Sequence, residues 1–390
     1  MNSDPDLGPR TPVPPSRLPA VGTTIFTVMS ALAAETGAVN LGQGFPDFAC
    51  DPSLLDAVAG AMRAGANQYA PMAGAVVLRE VMAAKIEAGY GRRYDPGSEI
   101  TITAGATQAI LTALLAVVHA GDEVIVLDPC YDSYVPGIAL AGGVAVRVPL
   151  VPGSFRPDFG RIAAALTPRT RALIVNSPHN PSATVWTRDE MLQLQALLAP
   201  TDVVVISDEV YEHMAFDQPH HSASGFDGLA ARSFVVSSFG KTLHVTGWKV
   251  GSVVAPAALM AEFRKVHQFN VFSVNTPMQH GLAEYLRDPA PYLNLPAFYR
   301  AKRELFRAGL AGSRLRLLPC EGTYFQCVDI SDVSDLGEAD FCQWLARRHG
   351  VAAIPLSAFY GDGFDQRVVR FCFAKETATL EAALERLQRL

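Results

Sequence analysis

The sequence lacks any apolar run long enough to cross a bilayer. Its longest, Ala109 to Ala120 (AILTALLAVVHA), is too short and is interrupted by Thr112 and His119, so it reads as a buried helix. It also lacks a Lys/Arg-rich run. With a formal net charge of only −6, neither nucleic acid nor an anionic membrane is indicated as a partner. The six cysteines (Cys50, Cys130, Cys320, Cys327, Cys342, Cys372) contain no Cys-x-x-Cys pair and no metal-ligand spacing. They read as buried free thiols in a reducing cytoplasm, and His213, His220 and His221 suggest no metal site either. A dinucleotide fingerprint is absent too, because Gly42-Gln43-Gly44 has no third glycine to complete it. There is no internal repeat. The first twenty residues carry proline and charge without the apolar stretch of a signal peptide, and read as a disordered or extended arm.

What is present suits a large core. The chain has 390 residues, 49% of them hydrophobic, enough for two domains or one large domain with a lobe. From about residue 100 to 255, short β-branched runs alternate with helical periodicity. Strands are expected at Ile100–Thr103, Glu123–Leu127, Ala145–Val148, Ala172–Val175, Val203–Ser207, Phe234–Ser237 and Val250–Val254. Helices are expected between them, as at Thr107–His119 and Arg188–Leu198. Several strands are apolar on both faces, as in a covered and mostly parallel sheet, so the fold class is α/β. Charged helices (Ala297–Gly309, Glu338–His349, Thr377–Leu390) mix with strands near Thr323–Val328 and Val368–Phe373 to give a smaller α+β lobe. The expected division is a segment of the small domain at 21–48, with a helix over Met29–Glu35, a large domain at 49–285 and the rest of the small domain at 286–390.

Open α/β sheets bind ligands beyond the carboxyl ends of their strands, so the polar residues there carry the chemistry. After the first strand comes Thr103-Ala104-Gly105-Ala106-Thr107-Gln108, small residues opening a helix whose N-terminus suits a phosphate. Taken alone, an ordinary turn capped by Thr107 explains it as well. Next come Tyr131, able to stack on a flat ring or simply to pack, and Asn176-Ser177-Pro178-His179-Asn180-Pro181, a stiff loop that presents amides. Asp208 follows a buried strand, where a carboxylate needs a cation or a proton donor; an N-cap is the plainer reading. Finally, Ser237 to Gly251 (SSFGKTLHVTGWKVG) looks buried and sets two lysines among small and apolar residues, Lys241 in the loop that follows the strand Phe234–Ser237, and Lys249 beyond it. A buried lysine becomes a nucleophilic amine, while a charged one partners phosphate. Together these features ask for a planar ring with a protonated nitrogen, an aldehyde and a phosphate. Pyridoxal 5′-phosphate has them all.

The motifs NLGQGFPDF, NQYAP, TAGATQA, DPCYDSY, NSPHNPSATVW, SDEVYEH, SSFGKT, TGWKVG and VVRFCFAK resemble, in order, those of the fold-type I pyridoxal-phosphate enzymes, class I/II aminotransferases. The branch most similar is that of bacterial methionine aminotransferases, related to kynurenine aminotransferases (glutamine transaminase K). The resemblance implies a large domain with a mostly parallel seven-stranded sheet and a homodimer with shared active sites. It implies that Lys241 forms a Schiff base with the cofactor and moves the Cα proton, and that Asp208 pairs with the ring nitrogen. Asn180 and Tyr211 would bond the ring hydroxyl, and Tyr131 would stack on the ring. Gly105, Ala106, Thr107, Ser238 and Lys249 would cradle the phosphate, with Tyr69 reaching the neighbouring subunit's cofactor. Arg370 would hold the substrate carboxylate, helped by the Gly44 backbone and Asn180; the plainer reading is a structural ion pair. Phe26, Phe45 and the partner's Phe272 would line the side-chain pocket, with Ile25 and Tyr69 helping, unless they are core packing. Such a pocket suits bulky neutral and aromatic amino acids in a ping-pong transamination. A kynurenine or glutamine aminotransferase with cysteine-conjugate β-lyase activity is the alternative, and a pyridoxal-phosphate-binding regulatory module is less favoured. The sequence reads Asn180-Pro181-Ser182-Ala183 where many aminotransferases have Asn-Pro-Thr-Gly, a form shared with the methionine branch.

Overall fold

The computed structural model describes residues 14–390, and residues 1–13 of the expected arm lie outside that range. Its centre is a seven-stranded sheet. The strands are β1 (Ile100–Thr103), β2 (Glu123–Asp128), β3 (Val144–Pro149), β4 (Thr170–Asn176), β5 (Val204–Asp208), β6 (Ser233–Ser238) and β7 (Gly251–Val254). They lie in the order β1-β7-β6-β5-β4-β2-β3. Only β7 runs against its neighbours, β1 and β6. The rest are parallel, as their patterning requires.

Period-two alternation sends each strand's apolar side chains into two separate cores. Val124 and Val126 of β2 and Ala172 and Ile174 of β4 pack under the helices Ala106–Val117 and Ala257–Asn270. Ile125, Leu127, Leu173 and Val175 face the other way, into the larger core that also takes Met191, Leu194 and Leu198 of the helix Arg188–Leu198. That helix starts where its sequence says it should. Thr187 accepts from the Glu190 backbone, and Glu190 accepts from Thr187 in return, a reciprocal cap.

A second sheet holds β8 (Arg316–Leu317), β9 (Phe325–Asp329), β10 (Ile354–Pro355) and β11 (Val368–Cys372), in the antiparallel order β10-β11-β9-β8. Val39–Asn40 pairs in parallel with Val351–Ala352, which joins the early segment to the C-terminal part of the chain. The expected helix over Met29–Glu35 extends to Ile25–Thr36. The helix expected at Glu338–His349 is α-helical only to Trp344 and continues as a π-helical turn over Leu345–His349.

Two helices far apart in sequence, Pro52–Arg63 and Thr276–Tyr285, meet closely at Gly281, where a Cβ would come 2.8 Å from the backbone N and Cα of Val58. Gly281→Ala is therefore expected to destabilise the protein by roughly 1–3 kcal/mol, as overpacking does. The urea midpoint measures this; an unchanged midpoint would mean that the two backbones do not meet there.

Candidate active site

The carboxyl ends of the parallel strands, with the loop at 42–45 and Arg370 of β11, enclose one cavity of about 230 Å³. Asn176 and Asp208 are register partners at the ends of β4 and β5. The Asn176 side chain donates to the Asp208 carbonyl (2.9 Å) and accepts the Asn180 N–H (2.8 Å). One amide thus ties the Ser177–Pro181 loop to the strand that carries the acid. Ser177–Pro178, Asn180–Pro181 and Asp128–Pro129 are all cis.

Asp208 is buried and has no ion-pair partner among the described residues. Its partner is Tyr134, whose hydroxyl donates to Oδ2 at 2.6 Å. Burial pushes the carboxyl up to about 6, against the pull of this hydrogen bond. Asp208 caps no helix; its Oδ1 accepts the Val210 N–H at 3.3 Å, closing a turn. Tyr134 was not singled out in the sequence, although the need of a buried acid for a donor was the signal that could have found it.

Lys241 sits in a one-turn helix, Phe239–Thr242, rather than in the expected loop. Its Nζ donates to the Tyr324 hydroxyl (2.9 Å) and to the Gly44 carbonyl (3.1 Å). Burial brings the amine down to about 8, and Arg370 and Lys249 add to the fall. Lys249 also departs from expectation. It is exposed along the cavity, in a left-handed conformation (φ 53°).

Arg370 is 1% exposed, and no carboxylate pairs with it among the described residues. Of its five N–H groups, one on Nη1 donates to Asn180 Oδ1 (2.6 Å) and one on Nη2 to the Gly42 carbonyl (3.2 Å), while Nε has no partner. Phe325 lies 3.9 Å from the guanidinium carbon, and Phe359 and Phe26 lie at 5.1 and 5.5 Å. Such faces stabilise a cation while leaving its N–H edge free.

The helix Ala106–Val117 opens at Gly105 (φ 81°) without a side-chain cap, so Thr107 does not cap it, and Gly105, Ala106 and Thr107 at its start line the cavity. A Cβ on Gly105 would stand 3.2 Å from Lys249 Nζ, and one on Gly251 would stand 2.8 Å from the Ser237 carbonyl. Ser238 and Lys249 line the same cavity, and hydroxyl, ammonium and backbone N–H groups are the chemistry an anion cradle needs. The donor set (amine, carboxylate, phenol, amide and an N–H cradle beside a lysine) fits pyridoxal 5′-phosphate.

Of the residues picked from sequence, Phe26, Gly44, Phe45, Gly105, Ala106, Thr107, Tyr131, Asn180, Asp208, Tyr211, Ser238, Lys241, Lys249 and Arg370 line this one cavity. Tyr69, Phe272 and Ile25 do not. Tyr69 is 80% exposed and meets Phe272 edge-on, ring centres 5.2 Å apart. Gly44 presents its carbonyl to Lys241 and Tyr324, so only its N–H is left for a carboxylate.

A sheet of this order, with a lysine, an acid and an anion cradle at its carboxyl edge, defines a fold-type I enzyme dependent on pyridoxal 5′-phosphate. The chain belongs to the class I and II aminotransferases, whose family model matches residues 36–387. It is 54% identical to the methionine aminotransferase of Escherichia coli (strain K12), over 97% of this chain and 98% of that one. The crystal structure of that organism's YbdL, identified as a methionine aminotransferase, superimposes with a TM-score of 0.96 at 54% identity, covering 97% of this chain and all (100%) of the other. The N-succinyldiaminopimelate aminotransferase structure from Mycobacterium tuberculosis gives 0.93 at 41% identity, over 97% and 100% of the two chains. Human kynurenine–oxoglutarate transaminase 1 is 35% identical over 96% of this chain and 97% of its own.

The raised Asp208 pKa has a stability consequence. Between 3.8 and about 6 the folded chain binds more protons than the unfolded one, so this group's contribution is lost as pH rises through that window. In cofactor-free protein, Asp208→Asn should therefore gain about 2.4 kcal/mol relative to the parent on going from pH 4 to pH 8. Urea melts at the two pH values measure it; the same difference at both would refute the assignment.

Proposed function

We propose that this aminotransferase acts on methionine and other bulky neutral or aromatic L-amino acids, passing the amino group to a 2-oxo acid in two ping-pong half-reactions. The observation that carries the reading is Arg370, a buried guanidinium with no carboxylate of its own, facing the same cavity as Lys241 and Asp208. A planar fork so placed binds an α-carboxylate bidentately and sets the amino group toward Lys241.

Pyridoxal 5′-phosphate, when bound, supplies an aldehyde for the amino group and a ring that draws electrons from the substrate Cα. Lys241 would provide the amine that holds this aldehyde. Once released by substrate, Lys241 takes the Cα proton, and an amine near 8 has a useful neutral fraction at mildly alkaline pH. Asp208 keeps the ring nitrogen protonated, because a cation beside a buried carboxylate lowers that carboxylate's pKa and removes the penalty of ionising it. Tyr211 and Asn180 would bond the ring oxygen, Tyr131 would stack on the ring, and Gly105, Ala106, Thr107, Ser238 and Lys249 would hold the phosphate. The exposed Tyr69 and Phe272 support a homodimer in which each reaches the partner's site. The cysteines, none of them paired, support a reducing cytoplasm.

The cavity's cations support a neutral side chain. Lys241, Lys249 and Arg370 are the cationic residues in its lining, and all three are committed. None remains for a side-chain carboxylate, and the 54% identical methionine aminotransferase points the same way. The aromatic walls Phe26 and Phe45 and the kynurenine relatives favour a second activity, β-elimination from cysteine conjugates. Pyruvate and thiol formed without an acceptor would reveal it.

The test is a half-reaction screen of amino acids against the pyridoxal-phosphate enzyme, read by loss of its visible absorbance. Methionine is expected to react at least about tenfold faster than aspartate, the scale of a pocket's preference for an apolar group; aspartate reacting as fast would overturn the reading. Lys241→Ala should abolish both absorbance and turnover. Arg370→Ala should cut kcat/KM for methionine by roughly 100-fold or more while cofactor is retained, the usual result of truncating one partner of a buried charge pair. An undiminished kcat/KM would remove Arg370 from the site.

A further inference from the structure

Tyr324 does not line the cavity, yet its hydroxyl touches the atom on which the chemistry turns. It is fully buried in the segment leading into β9, with ring neighbours Tyr211, Tyr299 and Phe325 at 5.2, 5.6 and 4.8 Å between centres. Its proton is committed, since the hydroxyl donates to the Gly44 carbonyl at 2.6 Å. What it offers Lys241 Nζ, 2.9 Å away, is therefore a lone pair. The same Gly44 carbonyl lies 3.1 Å from Nζ.

A neutral amine has two N–H groups and one lone pair. With Tyr324 and Gly44 as acceptors both N–H groups are taken, and the lone pair has one direction left. We propose that Tyr324 is a positioning residue for the transamination base: its hydroxyl fixes the rotation of the free Lys241 amine and anchors it to the loop that carries Phe45. The inference rests on Lys241 being the base, as proposed above. Removing the hydroxyl leaves Lys241 one acceptor and frees the amine to rotate. It also strips Gly44 of a donor from the second sheet's side.

Tyr324→Phe tests this, because it keeps the ring and its packing. The first readout needs no cofactor. The chain has six lysines (Lys85, Lys241, Lys249, Lys265, Lys302, Lys375), few enough to follow one by one as ¹³Cε resonances in cofactor-free protein, with Lys241 assigned by its absence in Lys241→Arg. A hydrogen bond to the charged form favours that form, so its loss should lower the Lys241 titration by about one pH unit. The second readout is single turnover of the loaded enzyme with methionine. Its rate should fall on the order of 10- to 100-fold, the scale of a misplaced reacting group, while the apparent affinity for methionine changes less than about twofold.

Both shifts together support the inference. An unmoved titration, an unmoved rate, or a loss confined to affinity each overturns it. Should the variant not fold, 3-fluorotyrosine at 324 keeps the shape and weakens the acceptor. It should move the titration and the rate in the same directions by smaller amounts, and no movement overturns the inference. If the parent enzyme itself fails to react with methionine, the substrate reading falls. The titration arm then still decides whether Tyr324 holds the amine.

Discussion

Charge removed from water without a charge to meet it is the constraint on which this molecule is built. Asp208 and Arg370 are both buried, and neither forms an ion pair among the described residues. Just behind them the same chain satisfies its buried charges with care. Glu212 pairs with Lys85 at 2.8 Å and accepts from Tyr90 and Ser237 at 2.6 and 2.8 Å; burial alone would raise its pKa, and Lys85 foremost outweighs that. Glu209, the neighbour of Asp208, takes His220, Ser207 and the Ala223 N–H. The contrast is between a scaffold that closes its own electrostatics and a cavity that leaves them open. Open charges of this kind cost stability, and a protein retains them where a ligand completes them.

Much of this was legible in the sequence because parallel strands have no choice of composition. Buried on both faces, β4, β5 and β6 had to be short apolar runs, and the polar residue ending each run had to stand at the sheet's edge. Asn176, Asp208 and Ser238 follow from that rule without any knowledge of contacts. Strand ends moved by a residue or two, since pairing with a neighbour decides where a ladder stops. Asp208 itself belongs to β5 because it pairs with Asn176.

What was not legible has physical causes of its own. A four-residue helix is one turn, too short to show a period, so Lys241 read as loop. Lys249 read as buried from its neighbours in sequence, yet a left-handed backbone turns it into the open cavity. Tyr134 and Tyr324 reach across 74 and 83 residues to Asp208 and Lys241, and no local pattern records such partners. Both are tyrosines in apolar surroundings. The rule that a buried hydroxyl must find a partner marks them as residues to ask about, though not the answer.

The loop at 42–45 shows how the two sheets come to act on one substrate. Its carbonyls are read in turn by side chains of different origin. Arg370 of β11 holds Gly42, Tyr324 and Lys241 share Gly44, and Lys375 donates to Phe45 at 2.8 Å. Lys241 comes from the seven-stranded sheet's side and the other three from the four-stranded sheet's side. In the proposed reaction Lys241 leaves Gly44, and Tyr324 and Lys375 are the donors that stay on the loop. The N–H groups of Arg370 that are not spent on Gly42 or Asn180 are the ones left for the carboxylate of the proposed substrate. The bond that holds the Phe45 backbone, from Lys375, is thus separate from those the proposed reaction would use.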